Sequence, residues 1–146
     1  MKKLTVGLLV FCIIIFSISC TSKTLFFTPE MTGFIYSNAT KEPLNKLNGE
    51  ISFNGIDEAQ KITLKKDGSF TISSISKSYY FIRPDVKSYS MLPPEIYINF
   101  QGYNLKSIDY SEAYSKQVSE KQSGFSNYKK IDLGIIYLDR AKEANE

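Results

Sequence analysis

The chain has 146 residues with a formal net charge of +3 at pH 7, and it contains no histidine, no tryptophan and two cysteines. The missing histidine removes the commonest general base in enzymes and the commonest protein ligand for transition metals. A near-neutral charge balance carries no electrostatic footprint for nucleic acid, so we expect no nucleic-acid binding.

The first 20 residues have the organisation of an export signal. Met1–Lys3 carry two lysines, Leu4–Phe16 is almost wholly apolar, and Ser17–Cys20 closes the segment with small residues and a thiol. This order is typical of a secretory signal peptide, which we predict over residues 1–19. Two alternatives stay open. One is a membrane-spanning helix that is never cleaved, for which the apolar run is short; the other is an ordinary secretory signal with an incidental cysteine.

With Cys20 at the junction, the segment resembles the signal peptide of bacterial lipoproteins. Ser19 fits the small residue before the cysteine, whereas Ser17 stands where that motif usually has an aliphatic residue. The resemblance implies that Cys20 is lipidated with a diacylglyceryl group, palmitate for example, and becomes the first residue of the mature chain. Two acyl chains anchor a protein stably without a membrane span. Thr21 is not the aspartate of inner-membrane retention, so the resemblance favours the periplasmic side of the outer membrane, if the source has one.

The rest of the chain is expected to form one domain of the cell envelope. Cys12 leaves with the signal peptide and Cys20 is acylated, so no thiol remains for a disulfide, and we predict no metal and no cofactor. Loss of the two leader lysines lowers the formal charge by two, to +1. We predict a lipidated N-terminus and short tether over residues 20–28, a domain over residues 29–140 and a polar tail over residues 141–146.

Apolar and polar residues alternate with a period of two through most of the domain, and this period predicts β-strands. Two denser apolar segments, residues 79–83 and 131–138, are typical of interior strands. Short strands separated by glycine and proline turns indicate an all-β fold, a β-sandwich of about seven to eight strands. The alternating apolar residues are Phe34 and Tyr36, Ile51 and Phe53, Ile62 and Leu64, Phe70 and Ile72, and Ile96, Ile98 and Phe100.

Asp67 and Gly68 mark a structural turn between two of these strands. A two-residue loop would place the apolar residues of the two strands on opposite faces of the hairpin. A three-residue loop, Lys66–Gly68, pairs Leu64 with Phe70 instead and gives one apolar face throughout. Gly68 then occupies the left-handed position that follows a type I turn. We therefore predict the three-residue loop.

Two segments lack strand periodicity. Pro84–Pro94 holds three prolines and is predicted to be a loop. The polar segment Ser111–Gly124 fits a short helix near residues 112–122, with Ser111 as the N-cap and Gly124 as the stop. Its apolar stripe is thin, so helix and loop both stay open here.

Several short motifs follow one another in the order found in transthyretin-like modules, also called carboxypeptidase regulatory-like modules. They are Gly33–Tyr36, the Lys41–Leu44 turn, Ile51–Phe53, Asp67–Ile72, Gly102 with Tyr103, and Leu133–Leu138. The chain resembles this family over residues 30–138, and Phe27–Pro29 also looks like the lead-in of small secreted proteins of unknown function. The resemblance implies a transthyretin-like sandwich that is itself non-catalytic and that supports or binds a partner.

No catalytic arrangement stands out among the polar residues. Ser74 and Lys77 have the spacing of a serine acyl-enzyme, which requires one helical turn. On a strand that spacing points the two side chains to opposite faces, and Ser126 with Lys129 repeats the pattern by chance. The carboxylates show neither calcium-loop spacing nor an acid–base pair. We therefore expect no enzymatic activity.

The chain has ten tyrosines, too many for one core, and exposed tyrosine is enriched at protein interfaces. Tyr97, Tyr103 and Tyr110 are the candidate binding residues, with Tyr97 on the polar face of its strand; packing in the core or at its rim is the alternative. The sequence thus predicts a membrane-anchored envelope protein that acts as a non-enzymatic structural or protein-binding module. Glycan or peptidoglycan binding is the alternative. The partner and the oligomeric state stay open.

Overall fold

The computed structural model describes residues 21–142, which form nine strands, two short α-helices and one 3-10 turn. The predicted signal peptide with Cys12, the lipidation site Cys20 and the end of the predicted tail lie outside the described residues. The strands are β1 (Lys23–Phe26), β2 (Glu30–Ser37), β3 (Asn48–Phe53), β4 (Gln60–Thr63), β5 (Ser69–Ile72), β6 (Ser76–Tyr79), β7 (Glu95–Phe100), β8 (Lys106–Asp109) and β9 (Lys130–Leu138). The helices are α1 (Lys87–Ser90) and α2 (Ser111–Gln117), and the 3-10 turn is Glu120–Gln122.

Two sheets pack face to face around one apolar core, which confirms the predicted all-β sandwich. One sheet has the order β5-β2-β9 and the other β4-β3-β7-β8, while β1 and β6 form a separate two-stranded ribbon. Side chains alternate along the strands as the period of two requires: Ile96, Ile98 and Phe100 of β7 are all buried. The facing side chains from the other sheet include Met31, Ile35, Phe70, Ile72, Ile131, Ile136 and Leu138.

The last strand lies at the edge of its sheet, so the prediction of an interior strand there is wrong. β9 pairs only with β2, in parallel register. Helix α2 covers part of the open edge, because the Gln117 amide donates to the Asp132 carbonyl oxygen and accepts from the Asp132 N–H, each at 2.8 Å. Such side-chain pairing satisfies backbone groups that an edge strand would leave open.

The prediction of an interior strand over residues 79–83 is also wrong. β6 ends at Tyr79, which pairs with Lys23, the first residue of β1. Because the partner strand begins there, the pairing stops, and the apolar residues Tyr80–Ile82 project into solvent. The ribbon also changes the N-terminal prediction, since β1 lies within residues 20–28, the expected tether.

The Lys66–Gly68 loop has the backbone of the three-residue form. Gly68 has a φ of 76°, and its N–H donates to the Lys65 carbonyl oxygen at 3.0 Å. The predicted ladder beyond the loop does not form, because β4 pairs with β3 whereas β5 pairs with β2. The loop therefore connects the two sheets, and Leu64 and Phe70 enter the core from opposite layers.

The two segments without strand periodicity both contain a helix. α1 interrupts the Pro84–Pro94 segment, which was expected to be a loop throughout. α2 provides the short helix expected near residues 112–122, but Ser111 is its first helical residue and Tyr110 takes the N-cap position. The Asp109 carboxylate accepts the Ser111 N–H at 2.7 Å and so performs the capping predicted for Ser111.

Candidate functional site

Loops at one end of the sandwich enclose a pocket of about 310 Å³. This volume lies at the lower end of the range for small-molecule sites, which are mostly apolar with a few polar groups. We call it the aromatic pocket, because six of its side chains are Phe or Tyr. It is lined by Phe27, Thr28, Pro29, Phe53, Asn54, Ile56, Tyr89, Ser90, Leu92, Pro93, Pro94, Tyr110, Tyr114, Ser123, Phe125 and Lys129.

Backbone hydrogen bonds tie the lining loops to the ends of the strands. The Glu30 N–H at the start of β2 donates to the Lys129 carbonyl oxygen at 2.8 Å. On the facing sheet, the Tyr110 N–H donates to the Pro94 carbonyl oxygen, also at 2.8 Å. Both layers of the sandwich therefore hold the walls, and the pocket is formed before any ligand binds.

The aromatic side chains pack against one another around the pocket. The rings of Phe27 and Tyr89 are stacked, with centroids 3.7 Å apart and planes at 12°. Phe125 lies against Phe27 at 6.1 Å in a tilted arrangement, and Phe53 meets Tyr110 edge to face at 6.5 Å. Aromatic pairs in these geometries are rigid and present large apolar surfaces. The walls can therefore bury an apolar group with little loss of side-chain freedom.

Lys129 brings a positive charge into this apolar setting. Its side chain is only 6% exposed, and burial lowers the pKa of its ammonium group. The Nζ atom donates to the Ser123 carbonyl oxygen at 3.3 Å and lies 5.7 Å from the centre of the Phe125 ring. Among residues 21–142 no carboxylate lies within ion-pair distance of it. An ammonium has three donor hydrogens, so most of its bonding capacity is unused.

Two tyrosine hydroxyls add hydrogen-bond donors to the same wall. Burial first, and then the charges of Tyr114 and Asp109, raises the pKa of Tyr110 to about 12. Burial also raises the pKa of Tyr114, whose hydroxyl donates to the Ser123 carbonyl oxygen at 3.4 Å. Both hydroxyls are therefore protonated at neutral pH and can donate to an oxygen of a ligand.

Together these groups define the chemistry that the pocket can accept. A buried charge without a partner is costly, and an opposite charge placed beside it recovers part of that cost. A carboxylate near Lys129 Nζ would supply that charge, while an apolar body would fill the space between the aromatic walls. The pocket thus fits a small group that combines a carboxylate with an apolar surface.

The structure does not bring the three predicted binding tyrosines onto one surface. Tyr97 lies on the outer face of its sheet and donates to Glu95 Oε2 at 2.9 Å, and this bond raises the pKa of Tyr97. Tyr103 is half-buried against the core, and its backbone forms a bridge with Arg140. Tyr110 is buried in the aromatic pocket. Tyr110 therefore does not belong to an exposed face, and a binding role for Tyr97 and Tyr103 stays a prediction.

The other residues singled out in the sequence lie away from the pocket. Asp67 and Gly68 form the connection between the sheets, where the Asp67 carboxylate accepts the Ser69 N–H at 3.0 Å. Lys77 is exposed on β6, three residues beyond the half-buried Ser74. Within the described part of the chain no cluster of acidic or cysteine side chains could hold a metal ion, and no helix is long and apolar enough to cross a bilayer.

Sequence reasoning missed most of the residues that make the pocket. Phe27, Tyr89, Phe125 and Lys129 come from four separate segments, and all of them lie outside the alternating strand pattern. In the sequence, Lys129 stands out only through its chance spacing from Ser126. One sequence signal points to these residues. Phe125 and Lys129 lie directly before the apolar strand β9, so they are expected at the end of the sandwich where that strand begins.

The strands and sheets define the protein as an all-β sandwich. Comparison with known proteins does not assign this sandwich to a family. No protein-family model matches the chain, and no curated protein matches it. Among solved structures it is similar to the group B streptococcus pilus 2b backbone protein, with 11% identity over 80% of this chain and 42% of that one, and a TM-score of 0.38. It is also similar to a DUF3823 family protein from Parabacteroides merdae, with 11% identity, 78% and 47% coverage and a TM-score of 0.35.

A third similar structure is the chlorocatechol 1,2-dioxygenase from Pseudomonas putida, with 12% identity, coverage of 81% of this chain and 60% of that one, and a TM-score of 0.40. The chain spans less than two thirds of each of these three proteins.

Proposed function

We propose that this protein is a lipid-anchored component of the cell envelope whose sandwich acts as a non-enzymatic binding module. The sequence before and at Cys20 supports the anchor, because it has the order of a lipoprotein signal. The order of short motifs from Gly33 to Leu138 supports a transthyretin-like module, and modules of that family usually bind or support a partner. If the source has an outer membrane, the lipoprotein resemblance favours its periplasmic side, since Thr21 is not an aspartate.

The observation that carries the binding function is the unpaired ammonium of Lys129 in the aromatic pocket. A purely structural core would gain stability from an apolar residue at this position, because a buried charge without a partner opposes folding. An anionic ligand would supply the missing counter-charge and so offset the cost of burying the ammonium group. We therefore assign to the pocket a ligand that presents a carboxylate next to an apolar group.

A segment of an envelope protein is the ligand that these groups fit best. An apolar side chain beside a terminal or acidic carboxylate would fill about 310 Å³ and reach Lys129. Protein interfaces concentrate their binding energy in aromatic pockets that become desolvated on binding. The tyrosine hydroxyls of Tyr110 and Tyr114 would then hydrogen-bond the backbone oxygens of the segment.

An acidic glycan is the second candidate, and the stacked pair of Phe27 and Tyr89 favours it. A flat aromatic surface beside a cation can also hold the apolar face of a sugar ring. Muramic acid without a stem peptide is such a sugar, and its lactyl group ends in a free carboxylate. Both candidate ligands need a carboxylate to pair with Lys129. They differ in the apolar part, which is a side chain in the protein segment and a sugar ring in the glycan.

Titration with matched small probes tests this function. The mature chain with Cys20→Ser would be labelled with nitrogen-15 and titrated with N-acetylphenylalanine and with its uncharged amide. We expect amide shifts around Lys129 and Tyr114 with the carboxylate and at least about tenfold weaker binding of the amide, equivalent to one hydrogen-bonded charge. N-acetylmuramic acid and N-acetylglucosamine form the corresponding pair for the glycan candidate.

Two variants control for effects outside the pocket. Lys129→Gln should abolish the preference for the carboxylate, whereas Lys130→Gln should keep it, because Lys130 lies in solvent and pairs with Glu30 at 3.1 Å. Equal binding of the acid and the amide, or equal loss in both variants, would contradict the proposed function. A preference for the muramic acid over the amino-acid probe would favour the glycan candidate.

A further inference from the structure

The residues that follow β6 form an exposed apolar projection, Tyr80–Ile82, which we call the apolar hook. Tyr80 is 60% exposed, Phe81 82% and Ile82 88%. Single exposed apolar residues are common on protein surfaces. Three consecutive exposed apolar residues gain little from burial in the fold, and such runs mark sites of interaction.

The hook lies beside the predicted anchor. Tyr79 pairs with Lys23, so the chain enters the hook at the same end of the ribbon where the N-terminal segment leaves it. Only Thr21 and Ser22 separate Lys23 from Cys20. Three extended residues span at most about 10 Å, which places any lipid on Cys20 close to the hook.

The charges around the hook suit the surface of an anionic bilayer. Lys23 and Arg83 flank it and are exposed, and Lys77 is exposed on the same ribbon. Basic residues next to a membrane are attracted to anionic lipid head groups. The nearest acidic residue along the chain is Asp85, whose carboxylate accepts the Lys87 N–H at 2.9 Å.

We infer that the apolar hook inserts into the interface of the membrane that carries the lipid on Cys20. Aromatic residues favour this depth, with the ring in the apolar region and the hydroxyl in water. Because the lipid already holds the domain at the surface, even a weak hook contact is sustained by the high local concentration of lipid. The inference rests on the lipid anchor of the proposed function.

A second protein copy is a poorer occupant for the hook. Specific protein interfaces bury about 800 Å² on each partner, and three side chains on a narrow projection offer only a part of that. A bilayer needs no matching surface. The contact would give the domain a fixed orientation, with the ribbon against the membrane.

Depth measurement by spin labelling tests this inference on the full protein as matured and acylated in cells. Phe81→Cys would carry a nitroxide, since the chain has no other cysteine after Cys20. The protein would be reconstituted into vesicles of phosphatidylethanolamine and phosphatidylglycerol, and collisions with oxygen and with a water-soluble nickel chelate would be measured. Ile82→Cys repeats the measurement at the neighbouring exposed position.

Leu105→Cys is the matched control, because Leu105 is 64% exposed and lies beyond the far end of β9, where the Asn104 N–H donates to the Asp139 carbonyl oxygen at 2.9 Å. We expect the ratio of nickel to oxygen collisions to be lower at the hook than at this control, because interfacial apolar side chains lie about 5–10 Å into the boundary between head groups and acyl chains. Circular dichroism would verify that each labelled variant is folded.

The outcomes separate the hook from the anchor. If intact mass shows the acyl chains but the label at position 81 meets nickel as freely as the control, the hook inference is overturned and the anchor stands. Low collision rates with both reagents would mean burial against protein, which also overturns it. A mature chain without acyl mass would contradict the anchor itself, and the hook inference with it.

Discussion

At the scale of single residues, Lys129 connects the sequence to the proposed binding function. An ammonium group loses hydration when it is buried, and only a counter-charge or several hydrogen bonds restore the balance. Lys129 has one long hydrogen bond at 3.3 Å and a distant aromatic ring. Its aliphatic stem packs well, so the cost arises from the charged end alone.

Replacement of this lysine by an apolar residue of similar length is expected to stabilise the protein. Lys129→Met keeps the stem and removes the buried charge, so the free energy of unfolding at pH 7 should rise by about 1 kcal/mol. Denaturant unfolding would measure it, with Lys130→Met as the exposed control that should change little. A large loss of stability in Lys129→Met would contradict this description of the charge.

The pH dependence of stability follows from the same lysine. Folding lowers the pKa of Lys129 below its ordinary value of 10.5. Between the two values the unfolded chain binds more protons than the folded chain, so the free energy of unfolding rises with pH in this window. The advantage of Lys129→Met over the natural protein should therefore shrink as pH rises towards 10.5.

The tyrosines of the pocket do not obscure this comparison. Their raised pKa values destabilise the folded protein above pH 10, where the unfolded tyrosines ionise first, but they do so in both proteins. Unfolding curves of both proteins from pH 7 to 10 would check the prediction. A constant difference across that range would mean that Lys129 keeps an ordinary pKa.

At the scale of elements, the connection at Gly68 shows how local turn chemistry joins the two sheets. Gly68 and Gly102 both have left-handed backbone, with φ of 76° and 82°. A Cβ on Gly68 would lie 2.6 Å from the Ile35 carbonyl oxygen, whereas one on Gly102 would meet nothing within 4 Å. The two glycines therefore separate backbone strain from steric clash.

Alanine at each position measures the two effects. Gly102→Ala should cost about 1 kcal/mol, the strain of an alanine in the left-handed region. Gly68→Ala should cost roughly 2 kcal/mol more, because β2 would have to move away from the turn. Denaturant unfolding of the two variants would measure the costs, and equal values would mean that the turn does not press on β2.

The positions of strands and turns were predictable where they depend on a local sequence pattern. Alternation located the strands around Ile51, Phe70 and Ile98, and the left-handed glycine located the turn at Gly68, because each depends on a few neighbouring residues. Strand partners depend on the whole chain. No local pattern indicates that the ribbon ends at Tyr79, so the apolar run after it predicts an interior strand that does not form.

The pocket was less predictable than the strands for a related reason. Its walls come from loops that meet only when both sheets have formed, and Lys129 is polar within a polar segment. The sequence predicts Tyr110 on an exposed binding face, whereas the structure buries it in the pocket. Burial of a loop lysine depends on tertiary packing, which has no period along the chain.

At the scale of the whole molecule, one end of the chain is proposed to hold the membrane while the sandwich binds a partner. Cys20 is the residue on which this division depends. With Cys20→Ser behind an ordinary secretory leader, we expect the protein to move from the membrane fraction to the soluble envelope fraction, because the hook alone binds only marginally. Fractionation and intact mass would check it, with Ser22→Ala as the control that stays on the membrane.

A folded Cys20→Ser protein that remained in the membrane fraction would contradict the anchor. Retention that then disappeared on Phe81→Ser would show that the hook, and not the lipid, is the main attachment. Neither result would bear on ligand binding in the aromatic pocket, because both concern only membrane attachment.

We propose that the Lys129 ammonium in the aromatic pocket pairs with a carboxylate of the ligand. Nuclear magnetic resonance of the Lys129 side chain, titrated with pH in the presence and absence of saturating N-acetylphenylalanine, tests it most directly. We predict a pKa below 10.5 in the free protein, which rises when the acid binds and does not rise with the uncharged amide. A pKa that is the same with and without the acid would contradict the account.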